Sequence, residues 1–347
     1  MKGKKSLRNP LHTKPYTAQK LRDDTFIFDR LLFYLNKSKK QLTKTITNDN
    51  ILIVKLNLIF GLFYSFKRRI LMTINFGCHG TTWVLDYDEK VDGLDHILDT
   101  VKKAGFKGVD VQYALLGKYN DSPEQLKEKL DSMGLKLAAL TLPFSWESNV
   151  ESEEEKKRAD YYIDYLKHFP NALLNLPARV GPNRDNLLKR QKDIISCVNA
   201  VGKRAYENGV VASFHPHSPA NSYFRIKSDY DVLFEELDTR YVGYTPDVGH
   251  IMAGGMDPLE IIKEHLSIIK HVHFKDCSSS FEWKKMGYGD IDFPAIVETL
   301  VNYGYDGWII FEEETDEAKV AADQCVFDIS KYVEKNLQPI VRGEIVR

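Results

Sequence analysis

From Thr73 onward, short apolar runs bounded by Gly, Pro or Asn alternate with longer segments of helical periodicity, and this rhythm constrains the fold more than any single motif. The runs predict strands at Thr73–Gly77, Gly108–Gln112, Lys136–Leu140, Ala172–Leu176, Val210–Phe214, Tyr241–Thr245, Ile269–Phe274 and Gly307–Phe311. Between them lie i, i+3, i+4 apolar spacings such as Leu94-Ile97-Leu98-Val101 and Ile261-Ile262-His265-Leu266. Asp121-Ser-Pro-Glu124 and Asp257-Pro258 read as capped helix starts. Gly105, Gly134, Gly209 and Gly304 stand where a helix must stop before the next strand.

Eight such units within about 275 residues match a (β/α)8 TIM barrel. An open doubly wound sheet is the rival. The unbroken run of units and the lack of a Gly-rich phosphate loop count against it. Residues 72–347 therefore read as one α/β barrel domain, with residues 1–71 an N-terminal extension outside it.

Charge separates the same two parts. The formal net charge is −1, but residues 1–71 hold 16 Lys+Arg against 4 Asp+Glu, and the remainder holds 32 against 45. An acidic body repels a phosphate backbone, so a nucleic-acid partner is not expected. Ile51 to Phe66 is apolar but short and carries Lys55 and Asn57, against the roughly 20 residues that a membrane-spanning helix needs. No membrane partner is expected for the barrel. No signal-type cleavage pattern follows that run either. The extension reads as a disordered basic arm, a targeting or membrane-surface segment, or translated upstream sequence with Met72 as the true start. The last is preferred, because Met72 directly precedes the first strand. Four scattered cysteines, Cys78, Cys197, Cys277 and Cys325, form no CxxC and suit free thiols in a reducing compartment, so a cytoplasmic location is expected.

Four strand ends carry the chemistry: Phe214-His-Pro-His217, Pro246-Asp-Val-Gly-His250, His271-Val-His-Phe-Lys-Asp276 and Phe311-Glu-Glu-Glu314. Side chains alternate along a strand, so His215 and His217 share a face, as do His271 and His273. In a barrel these C-terminal ends converge on one mouth. Imidazole and carboxylate donors there suit one divalent ion: Mn²⁺, Mg²⁺, Co²⁺ or Zn²⁺. Each element alone has a structural explanation: His-x-His as core packing, Asp247 as a turn cap, the glutamates as a solvated strand end. Their coincidence in phase favours a shared metal site.

The run from His271 through Gly287-Tyr-Gly-Asp-Ile-Asp-Phe293 to Tyr305-Asp-Gly-Trp-Ile-Ile-Phe-Glu312 resembles the xylose-isomerase-like TIM-barrel superfamily of sugar isomerases, epimerases and inosose dehydratases. Phe214-His-Pro-His217, Asp247-Val-Gly-His250 and His273-Phe-Lys-Asp276 are similar to its inosose dehydratase-like branch. The resemblance spans about 72–340 and implies a barrel fold. It also implies metal ligands Asp247, His273 and Glu312 with a fifth-strand donor, here His215, where many members carry glutamate. The implied reaction is isomerisation, epimerisation or dehydration of a sugar, keto-inositol or related polyol through an enediolate-type intermediate. His250, Lys275 and His217 are the expected catalytic groups, with Glu313 a further candidate. Lys275 could stabilise an oxyanion or simply pair with Asp276. His79, Trp83, Trp146 and Glu313 are expected to contact substrate. The alternatives are a non-catalytic sugar-binding barrel and an AP-endonuclease-like phosphodiesterase. Homo-oligomers are compatible with such a barrel, though no interface is read from the sequence.

Overall fold

The computed structural model describes residues 74–84 and 92–344. Expectations about residues 1–71, and Met72 as a start, lie outside the described residues. Strands β1 (Asn75–His79), β2 (Gly108–Gln112), β3 (Lys136–Thr141), β4 (Leu173–Leu176), β5 (Val211–Phe214), β6 (Val242–Tyr244), β7 (Val272–Phe274) and β8 (Trp308–Phe311) form one parallel sheet. Helices lie between and after them: α1 (Leu94–Lys103), α2 (Pro123–Met133), α3 (Glu153–Leu166), α4 (Leu187–Glu207), α5 (Lys227–Glu236), α6 (Val248–Ala253), α7 (Pro258–His265), α8 (Phe293–Tyr303), α9 (Ala318–Tyr332) and α10 (Gln338–Val341).

Sequential strands pair from β1 to β6, and β1 also pairs with β8, which pairs with β7. The remaining seam, between β6 and β7, is closed by parallel bridges Tyr244↔Ile269 and Asp247↔His273. Tyr244 N–H donates to Ile268 O at 2.8 Å and His273 N–H to Pro246 O at 2.9 Å. The ring is complete, and the chain is a TIM barrel.

Period-two alternation divides each strand. Phe76, Phe274 and Phe311 cluster with ring centroids 5.7 Å apart in the Phe76–Phe311 and Phe274–Phe311 pairs. Phe274 continues onto Phe293 of α8 at 4.9 Å, so this phase of β1, β7 and β8 seals the sheet against the helices. Each such buried side chain contributes about 1.5–3 kcal/mol. The opposite phase places His79, Asp110, Thr141, Asn175, Ser213, His271 and His273 inside the barrel, all buried. Its interior toward the C-terminal end is thus polar, and each of those groups must find a partner.

Candidate metal centre

The four donors come from four adjacent stations of the ring. His215 directly follows β5. Asp247 follows β6 and is also the N-cap of α6, its Oδ1 accepting the His250 N–H at 2.9 Å. His273 lies in β7, and Glu312 follows β8. One ligand atom from each of His215, Asp247, His273 and Glu312 lies within 4.8 Å of all the others, and all four residues are buried. The orientation of each is fixed from behind. His215 Nδ1 lies 3.3 Å from Thr245 O. His273 Nε2 donates to Asp110 Oδ2 at 3.0 Å, and Thr81 Oγ1 donates to Glu312 Oε2 at 2.9 Å.

This set fits a divalent cation on its own chemistry. Asp247 Oδ2 and His273 Nδ1 are buried without hydrogen-bond partners, with Lys275 Nζ 3.4 Å from the first and Glu312 Oε1 3.7 Å from the second, so neither atom is committed to a directed bond that an ion would have to break. Two carboxylates and two imidazoles balance a double positive charge and form a mixed N/O site.

Lys275 is the site's own cation, 1% exposed. Its Nζ donates to Glu314 Oε1 at 2.7 Å and Glu312 Oε1 at 3.0 Å, and lies 3.4 Å from Asp247 Oδ2. Burial opposes its charge, but Asp247, Glu312 and Glu314 outweigh it and hold the ammonium well above the usual lysine range. Burial raises Asp247, whereas Lys275 and His273 overcome the same burial at Glu312 and hold it ionised. For His273 too, burial is outweighed by Asp110 and Glu312, which lift it to about 10. The alternative pairing of Lys275 with Asp276 is not formed. The Asp276 carboxylate instead accepts backbone N–H groups of Cys277, Gly287 and Gly289 at 2.8–2.9 Å, pinning the loop after β7.

His250 and His217 complete an imidazole cluster, with ring centroids 4.8 Å apart and His217 4.6 Å from His215. His250 engages both ring nitrogens, Nε2 with Lys275 Nζ at 3.1 Å and Nδ1 with Ser218 Oγ at 2.8 Å. His217 is only half-buried. Burial and the Lys275 charge push it down to about 3, so it is neutral at physiological pH.

The residues expected to contact substrate are dispersed. His79 is buried beside the ligands, its ring 5.2 Å from that of His273 and its Nδ1 2.5 Å from Thr81 Oγ1. Trp83 commits its indole N–H to Asp323 of α9 at 2.7 Å, bracing the loop after β1. Trp146 is fully buried and stacked on Phe144 at 4.9 Å, so its ring presents no open platform. Glu313 lines a cavity of about 660 Å³ with Cys325 and Tyr332, and Thr315 N–H donates to its Oε1 at 3.3 Å. Cys277 is buried, and that burial pushes its thiol up to about 11, which disfavours the thiolate. Sequence reasoning missed Asp110, Thr81 and Ser218. Asp110 had a readable signal, a carboxylate in the middle of the apolar strand Gly108–Gln112.

Fold and site together define a (β/α)8 barrel that gathers imidazole and carboxylate donors at the C-terminal ends of its last four strands. The chain belongs to the xylose isomerase-like TIM barrel family, whose model matches residues 98–328. It is 28% identical over 301 residues to inosose dehydratase from Lacticaseibacillus casei, covering 77% of this chain and 98% of the relative. L-ribulose 3-epimerase superposes with a TM-score of 0.59 at 16% identity, covering 78% of this chain and 97% of that one. The IOLI protein with a binding zinc atom gives 0.58 at 17%, covering 79% and 100%. At those identities the two structures speak for the fold alone. Among the described residues no helix is long and apolar enough to cross a membrane.

Proposed function

We propose that this protein is a divalent-metal-dependent lyase that dehydrates a keto-inositol or closely related keto-polyol, with residues 72–347 as its catalytic barrel. The observation that carries the proposal is the convergence of His215, Asp247, His273 and Glu312, two of whose buried donor atoms make no hydrogen bond. The substrate class rests on the inosose dehydratase relative, which is matched over nearly its whole length. Two imidazoles among the donors favour Zn²⁺, Co²⁺ or Mn²⁺ over Mg²⁺.

His215, Asp247, His273 and Glu312 would hold the divalent ion, which would supply Lewis acidity toward a substrate carbonyl and so acidify the adjacent C–H. Proton removal is assigned to His217, half-buried beside the ligand His215, rather than to His250, whose two ring nitrogens already engage Lys275 and Ser218. Lys275, held as an ammonium by Asp247, Glu312 and Glu314, faces the oxyanion that develops as that proton leaves. His250 holds Lys275 in place through the 3.1 Å contact. Loss of the β-hydroxyl with a proton then gives water and an enol that ketonises to a diketone.

The test incubates the full-length chain, loaded with Mn²⁺, Co²⁺ or Zn²⁺, with a keto-inositol in D₂O and follows products by mass spectrometry. A product that has lost one water and carries one carbon-bound deuterium supports the lyase. Deuterium incorporation without loss of water points to an epimerase or isomerase, and unchanged substrate under all three metals points to a binding protein. The double variant D247N/H273A should lose both bound metal and turnover.

A further inference from the structure

We infer that Asp110 is a positioning residue for the metal centre: it fixes His273 so that Nδ1, not Nε2, is offered to the ion. The inference rests on the reading of His273 as a ligand. Asp110 is wholly buried in β2, and its hydrogen bonds and ion pairs among the described residues run to His79, Thr141, His271 and His273, so of the four donors it meets His273. Its carboxylate is nonetheless densely engaged. Oδ2 accepts from Nε2 of both His273, at 3.0 Å, and His271, at 3.1 Å. Oδ1 accepts from Thr141 Oγ1 at 2.9 Å, with His79 Nε2 3.3 Å away.

Two consequences follow from this geometry. A carboxylate held by four groups, from β1, β3, β7 and His271 just before β7, cannot rotate, so the direction in which it pulls the His273 ring is set by the barrel. A histidine that bonds a carboxylate through one nitrogen has its tautomer and ring plane fixed, and its other nitrogen becomes the better donor. That other nitrogen is Nδ1, which has no hydrogen-bond partner and lies 3.7 Å from Glu312 Oε1. Asp110, His79 and His273 also form a second group whose donor atoms lie within 4.8 Å of one another. The hydrogen bonds that already fill the Asp110 oxygens favour the positioning role over a second ion.

Two measurements on the full-length chain decide it. Titration of metal-free wild type and D110N with Co²⁺, against a competing chelator, should show affinity falling about 10- to 100-fold in the variant, with one ion per chain in both. The thermal midpoint of metal-free D110N reports folding separately. Should D110N fail to fold, the second measurement needs no substitution: in wild type loaded with ¹¹³Cd²⁺ and ¹⁵N-labelled at histidine, scalar coupling must run from cadmium to His273 Nδ1. Coupling to Nε2, Co²⁺ affinity within about twofold of wild type in folded D110N, or two ions in wild type falling to one in D110N would each overturn the inference. A wild-type chain that takes up no Co²⁺ removes the ligand reading itself, and this inference with it.

Discussion

Lys275 sets an ammonium among Asp247, Glu312 and Glu314 in a site almost closed to solvent. Its charge offsets those buried carboxylates, and under the proposed function it also serves the chemistry; substitution separates the two. K275M leaves buried carboxylates without their cation and should destabilise the metal-free protein by about 3–5 kcal/mol, measured by urea unfolding. Mn²⁺ should restore part of that stability, because a dication replaces the missing charge. Turnover should remain about 10²–10³-fold lower, since the group facing the oxyanion is gone. H217N should cut kcat by about 10²–10⁴-fold while metal content by elemental mass spectrometry stays at the wild-type level. Loss of metal in H217N would instead make His217 a ligand. At this scale the donors were legible because His, Asp and Glu at strand ends stand out against apolar runs. The surroundings of Trp83 and Trp146 were not. Whether an indole faces a pocket or a helix depends on partners such as Asp323, 240 residues away in sequence.

Elements were read more reliably where local chemistry decides them than where a partner does. Gly108–Gln112 was predicted with its observed bounds, and Gly134 and Gly304 end their helices with φ of 70° and 90°. The first strand runs Asn75–His79, not Thr73–Gly77, because its register is set by pairing with β8, Asn75 opposite Trp308. β7 is shorter than expected because its early residues meet β6 only through bridges. The helix after Asp121 starts at Pro123 with Ser122 as N-cap and no side-chain cap bond, so the anticipated cap there is not used. Asp257 does cap α7, accepting from Leu259 N–H at 2.8 Å, and D257A should lower stability by about 1 kcal/mol in urea unfolding. Gly249 in α6 is more demanding. A Cβ there would sit 2.7 Å from the Lys275 carbonyl oxygen, so G249A must push α6 away from the segment after β7. It should cost about 1–3 kcal/mol and lower metal affinity with it, which Co²⁺ titration would detect.

For the whole molecule, the proposed metal site links ion uptake to folding. An ion that binds only the closed barrel should add about 2.7 kcal/mol at a free concentration 100 times its Kd. The corresponding rise in thermal midpoint should be visible in calorimetry of the full chain and absent in D247N/H273A. The eight-unit architecture was legible because its rhythm repeats. Which pair of strands would form the weakest joint was not, since that depends on how far each neighbouring strand stays in register. The joint falls between β6 and β7, and one of its bridges is Asp247↔His273. A chain is made from its N-terminus, so this joint and Glu312 emerge from the ribosome late. The donor set comes into being with the last turn of the ring. A product that stops short of β8 lacks Glu312 and leaves Thr81 without its acceptor, so under the proposed function only a finished chain would take up the ion.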